Sequence, residues 1–92
     1  MRRAAKVDSN HPEILAAFRQ LGCSVLPLHQ LGGGVPDALI GLGGRSILVE
    51  IKAGKGQLNE GQAIWHADWK GAIATVRDMG GVITTVKLLR SP

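Results

Sequence analysis

Three charged residues, Asp37, Glu50 and Lys52, lie at the two ends of a largely apolar stretch, GVPDALIGLGGRSILVEIK, residues 34–52. With Gly43-Gly44 as the two-residue turn of a β-hairpin, Leu42 pairs with Arg45, and counting outward sets Asp37 opposite Glu50, Cβ atoms ~5 Å apart. Side chains alternate along a strand, so Lys52 shares the face of Glu50 while Val49 and Ile51 point away. Like charges facing each other across a ladder repel, and partial burial makes this worse. Either one carboxylate keeps its proton, or a cation lies between the two. A hard divalent ion such as Mg²⁺ suits two carboxylates plus a backbone carbonyl, here that of Ile51, with water completing the shell. Lys52 beside such a site can position or deprotonate a water and help neutralise the transition state of phosphodiester hydrolysis. A plainer arrangement stays open, in which Asp37 caps the strand entrance and Glu50 and Lys52 form a solvent-facing pair. A slip of one residue would also separate the carboxylates.

The elements that must position these residues follow from pattern. Asn10 and Glu13 have capping-box spacing, and Ile14, Leu15, Phe18 and Leu21 recur at helical intervals, so a helix is predicted from about His11 to Leu21, ended by Gly22. CSVLPLHQ reads as a short strand that Pro27 confines to an edge or a bulge. Strands at Pro36–Leu42 and Ser46–Lys52 form the hairpin. Asn59 and Gln62 repeat the capping-box spacing and open a helix to about Lys70. AIATVRD is a fourth strand. DMGGVITTVKLLR is rich in β-branched residues, which favours a strand. Met79, Val82, Ile83, Val86 and Leu89 nevertheless share one helical face behind Asp78 as a candidate N-cap, and we favour a helix. The expected order is αβββαβα: a mixed α/β domain over residues 9–92, preceded by a basic flexible tail at 1–8.

Ninety-two residues suffice for one core and not two. No apolar run approaches the ~20 residues of a bilayer span, and the basic start lacks the apolar segment of a secretory signal. The lone Cys23 excludes an internal disulfide and a cysteine-rich zinc site, and fits a reducing cytoplasm. The net charge of +4 favours a polyanionic partner. Setting aside Glu13, Asp37 and Glu50 leaves eleven bases against four acids. Aromatic residues are few (Phe18, Trp65 and Trp69), which gives little support to a stacking platform for single-stranded bases.

Pro36-Asp37 followed by Glu50-Ile51-Lys52 resembles the PD-(D/E)XK nuclease signature. NHPEILAAFRQLG, GVPDALIGLGGRSILVEIKAGKGQLNEGQ and WKGAIATVRD extend the likeness over roughly residues 8–80, to the small stand-alone VRR-NUC-type nucleases of phages and bacteria. The resemblance implies a restriction-endonuclease-like fold, a mixed central sheet flanked by helices. It also implies dependence on Mg²⁺ or Mn²⁺, no small-molecule cofactor, and hydrolysis of DNA, with branched DNA such as four-way (Holliday) junctions as substrate of a homodimer. Carried over, Asp37 and Glu50 are metal ligands, Lys52 is the catalytic lysine, Gln62 matches the glutamine on the helix after the ExK strand, and Glu13 matches the acid of the first helix. Where that family often has a better helix former, this chain has Gly61.

Glu13 and Gln62 are equally accounted for by helix-start chemistry. His66 shares a helical face with Gln62, Trp65 and Trp69, where a packed histidine is the ordinary finding; the tryptophans suit core or dimer-interface anchors. Arg45 and Lys55 are candidate phosphate contacts or plain surface charges. His11, His29 and His66 lack metal-ligand spacing, and AGKGQ lacks the other residues of a phosphate loop. Two alternatives stand beside the enzyme: a binding module that keeps the fold without turnover, and an assembly protein with a basic tail.

Overall fold

A computed structural model of the chain describes residues 8–91; most of the expected basic tail lies outside the described residues. Asp8, placed in that tail by sequence, is instead tied down: its carboxylate accepts a 2.6 Å bond from the Ala53 amide, and its carbonyl accepts from His11 N.

Three helices and four strands follow in the expected order: α1 (His11–Gln20), β1 (Ser24–Pro27), β2 (Ala38–Leu42), β3 (Arg45–Ile51), α2 (Glu60–Asp68), β4 (Ile73–Val76) and α3 (Met79–Arg90). The strands form one mixed sheet in the order β1-β2-β3-β4, antiparallel except for the parallel β3–β4 pair. The hairpin turns at Gly43 and Gly44, whose φ values of 60° and 79° are those a type I′ turn demands. Leu42 pairs with Arg45 and Ala38 with Val49, the expected register. Pro27 sits on edge strand β1, where its missing N–H leaves no central ladder bond unmade. LHQ, read as the end of that strand, forms instead a single 3-10 turn at His29–Leu31.

Alternation assigns one sheet face to the core. Ala38 and Ile40 of β2, Ile47, Val49 and Ile51 of β3, and Val76 of β4 meet Ile14, Leu15 and Phe18 of α1 and Val82, Val86 and Leu89 of α3. Phe18, Ile40, Val49 and Val82 are wholly buried. The α3 segment resolves as a helix because its core-facing residues recur at helical spacing, and Asp78 caps it by accepting from Gly81 N at 2.9 Å. The other face of the sheet carries Glu50, with α2 beside it; Gln62 is the only buried residue of that helix. No helix among the described residues is long and apolar enough to cross a membrane.

Candidate active site

The polar end of the hairpin is built by β3 and by the residue that enters β2. Glu50 and Lys52 are buried, at 2% and 9% exposure, beside Asp37 at 5%. Just beyond the last ladder pair, the Asp37 side chain takes over from the backbone: its Oδ2 accepts a 2.7 Å bond from Ile51 N, while its carbonyl accepts from Leu28 N. The capping role and the site role of Asp37 are thus one arrangement. N–H and C=O of a strand residue point to the same edge, so the Ile51 carbonyl faces the side on which Asp37 lies. Lys52 N is bonded to Val76 O on the opposite edge.

α2 delivers the next contact. Asn59 and Gln62 form a full capping box: Asn59 Oδ1 accepts from Gln62 N at 2.9 Å, and Gln62 Oε1 accepts from Asn59 N at 3.0 Å. The same Gln62 side chain uses its amide nitrogen to donate to Glu50 Oε2 at 3.2 Å. Helix capping and carboxylate orientation are therefore carried by one residue, and Gly61 does not prevent it. The helix start is held against the loop before β2, since a Cβ on Gly34, whose φ is +83°, would fall 2.6 Å from Gly61 O.

Sequence spacing offers no reason to join the histidines to this site, yet the fold does. His11 Nε2 lies 3.9 Å from Asp37 Oδ1, and His66 Nε2 lies 3.9 Å from Glu50 Oε1. Both nitrogens and Glu50 Oε1 are buried and unbonded among the described residues. His29 meets the His11 ring edge-on, centroids 4.9 Å apart. The only clue in the sequence is that His66 stands four residues after Gln62, on one helical face.

The electrostatics match the crowding. Burial, then the neighbouring Asp37 carboxylate, pushes Glu50 up to about 8, with Lys52 opposing. Burial lowers His66, and Lys52 lowers it further; burial lowers His11, against the pull of Asp37. Neutral imidazoles and a carboxyl reluctant to ionise are what a pocket of displaced water produces, and a cation beside Glu50 would reverse that reluctance.

Other expected site residues fall elsewhere. Glu13 is exposed, and the Asn10 capping box does not form. Two residues along α1 from His11 is more than half a turn, which directs Glu13 away from Asp37. Asn10 serves another purpose. Its amide donates to Lys52 O at 3.2 Å and Arg77 O at 3.0 Å, tying α1 to the ends of β3 and β4. Arg45 lies at the opposite end of β3 from Glu50, roughly 16 Å away at ordinary strand rise, and donates to Leu88 O at 3.4 Å. Lys55 is exposed on the loop after β3, at the site end. The tryptophans are not core residues: Trp65 is half-buried and Trp69 exposed.

Among the described residues, no three His, Cys, Asp or Glu side chains converge closely enough to hold a metal by themselves. Asp37 and Glu50 supply two oxygen donors, Glu50 Oε1 is buried without a partner among the described residues, and the Ile51 carbonyl, on the Asp37 edge of β3, would add a third. That donor set fits a hard divalent cation that retains several waters. No family model, no curated protein and no solved structure matches the chain with significance.

Proposed function

We propose that the protein is a metal-dependent DNA endonuclease of the PD-(D/E)XK type, hydrolysing phosphodiester bonds in branched DNA as a homodimer. The observation that carries this reading is the buried meeting of Asp37 and Glu50 at the end of the hairpin, with Lys52 on the same face and one carboxylate oxygen unpartnered among the described residues. Paired carboxyls kept from water, one of them forced to hold its proton at neutral pH, weaken a fold, and a protein that retains them gains something other than stability. The likeness of Pro36-Asp37 and Glu50-Ile51-Lys52 to the nuclease signature supports the same conclusion, as does the net charge of +4.

Asp37, Glu50 and the Ile51 carbonyl would hold Mg²⁺ or Mn²⁺, which supplies Lewis-acid polarisation of the phosphate and a more acidic bound water. Lys52 brings a cation to the face where negative charge grows on the phosphoryl oxygens, and its amine can take or hold the proton of the attacking water. Gln62 fixes one Glu50 oxygen, and the other has no hydrogen-bond partner among the described residues. Asp37 is locked in place by its bond to Ile51 N. Exclusion of water by His11 and His66 strengthens each of these interactions.

Incubation with linear, flap and four-way-junction DNAs in Mg²⁺, Mn²⁺ or EDTA tests the proposal. Cutting of branched DNA that needs metal and is lost in Lys52→Ala, with binding retained, is the expected result. Binding without cutting under every metal would identify a non-catalytic binding module, and an absence of both would rule out DNA as the partner.

A further inference from the structure

α2 carries a second stripe beside the one that reaches Glu50. Gly61, Ile64, Trp65, Asp68 and Trp69, with Gly33 of the loop before β2, line an open cleft of about 360 Å³, within the ~300–1,000 Å³ typical of small-ligand sites. Trp65 and Trp69 stack with centroids 5.0 Å apart and planes inclined at 22°. The Trp69 indole lies against Gly71, where a Cβ would fall 2.8 Å from its Nε1. Ile64 on α2 and Trp69 at its C-cap remain 57% and 44% exposed, and the only buried residue of that helix is Gln62. An apolar surface left open in this way marks a binding site.

We propose that this cleft receives an unpaired nucleobase of the DNA strand whose phosphate lies against Asp37, Glu50 and Lys52. The inference rests on the nuclease reading and narrows its substrate to DNA with an unstacked nucleotide beside the cut. Position is the first argument. Gly61 and Trp65 are the chain neighbours of Gln62 and His66, so the cleft lies on the stripe of α2 next to the one that faces Glu50, and the helix is about 10 Å across. That separation is a few steps of a nucleic-acid strand at ~3.4 Å each. Chemistry is the second. A base of any type extends a stacked indole pair through its π-face, and the Asp68 carboxylate at the rim can accept from an exocyclic amine. Charge is the third. The chain's net charge of +4 attracts an oligonucleotide, which brings the opposite sign. The scarcity of aromatic residues argues against a stacking platform from sequence; two of the three prove to stack at the C-terminal end of the helix of the site.

The experiment uses the full chain in EDTA, so that nothing is cut, and two flap DNAs of identical backbone. One carries ordinary bases at its unpaired positions, and the other carries abasic sites there. Tryptophan fluorescence and anisotropy are read for wild type, Trp69→Ala and Trp69→Phe, each checked for its helix and strand signature by circular dichroism. Expected are quenching by the flap with bases, roughly five- to hundredfold weaker binding of the abasic flap or by Trp69→Ala, no further loss when the two changes are combined, and recovery in Trp69→Phe. Equal affinity for both flaps, or tryptophans covered by self-association as concentration rises, overturns the inference. A protein that cuts DNA in Mg²⁺ yet ignores the missing bases refutes this inference alone; a protein that binds neither flap and cuts nothing refutes the nuclease reading with it.

Discussion

The two faces of the sheet obey different rules. On one, Phe18, Ile40, Val49 and Val82 are wholly buried between α1, α3 and the strands, and alternation decides every contact. On the other, Glu50, Lys52 and Gln62 are almost as deeply buried, but Glu50 Oε1 and the nearby Nε2 atoms of His11 and His66 have no hydrogen-bond partner among the described residues. The first face stabilises the fold. The second costs stability, and sites that break the rules of packing while the rest of a chain obeys them are where function is expected. Asp37 links the two, since Ala38 next to it enters the core while its own side chain closes the polar end.

Substituting one residue from each face separates the two roles most forcefully. Glu50→Gln is expected to lower metal-dependent cleavage at least about a hundredfold while leaving metal-free protein folded, measured by cleavage rate and circular dichroism side by side. Phe18→Ala should do the reverse. Its loss of about 3–5 kcal/mol, read by urea denaturation, is a large part of what a domain of this size has, so activity falls with the folded fraction.

Gly34→Ala comes next. It sets a Cβ against Gly61 O in a left-handed backbone conformation, so the start of α2 must shift and carry Gln62 with it. Cleavage should fall more than the melting temperature does, because the core lies on the other face.

A pH series isolates the electrostatic side. Glu50 ionises near 8 in the folded chain against an ordinary value of 4.5. The folded state therefore binds the extra proton, and this contribution to stability, full below the ordinary value, is lost as pH rises towards 8. The lowered His11 and His66 act in the opposite sense only below their ordinary 6.5. Between pH 6.5 and 8, metal-free wild type should lose stability by at most about 1.4 kcal/mol per pH unit, and Glu50→Gln should flatten that slope and melt higher at pH 8. Stabilisation by added Mn²⁺ should grow over the same window, because the cation favours the ionised carboxylate. Asn59→Ala is the smallest change, about 1 kcal/mol from the lost helix cap, with a modest fall in cleavage through a looser Gln62.

The packed face is legible in the sequence because period-2 and helical spacings report burial directly. The hairpin register follows from Gly43-Gly44 and sets Asp37 against Glu50 without further help. Glu13 and Asn10 depart from expectation because capping-box spacing is local, whereas Asn10 is claimed by two carbonyls just past the ends of β3 and β4. His11 and His66 stay hidden because they reach the carboxylates from helices separated by most of the chain. The tryptophan cleft is hidden for a related reason: helical spacing shows which residues share a face and not whether anything covers it.

Isothermal titration with Mn²⁺ at pH 7.5, comparing wild type with the Asp37→Asn/Glu50→Gln double variant, asks whether the paired carboxylates hold a cation without relying on any substrate. A cation site in the wild type that disappears in the double variant is the expected result. Heats that are absent from the wild type, or unchanged when both carboxylates are neutralised, would contradict it.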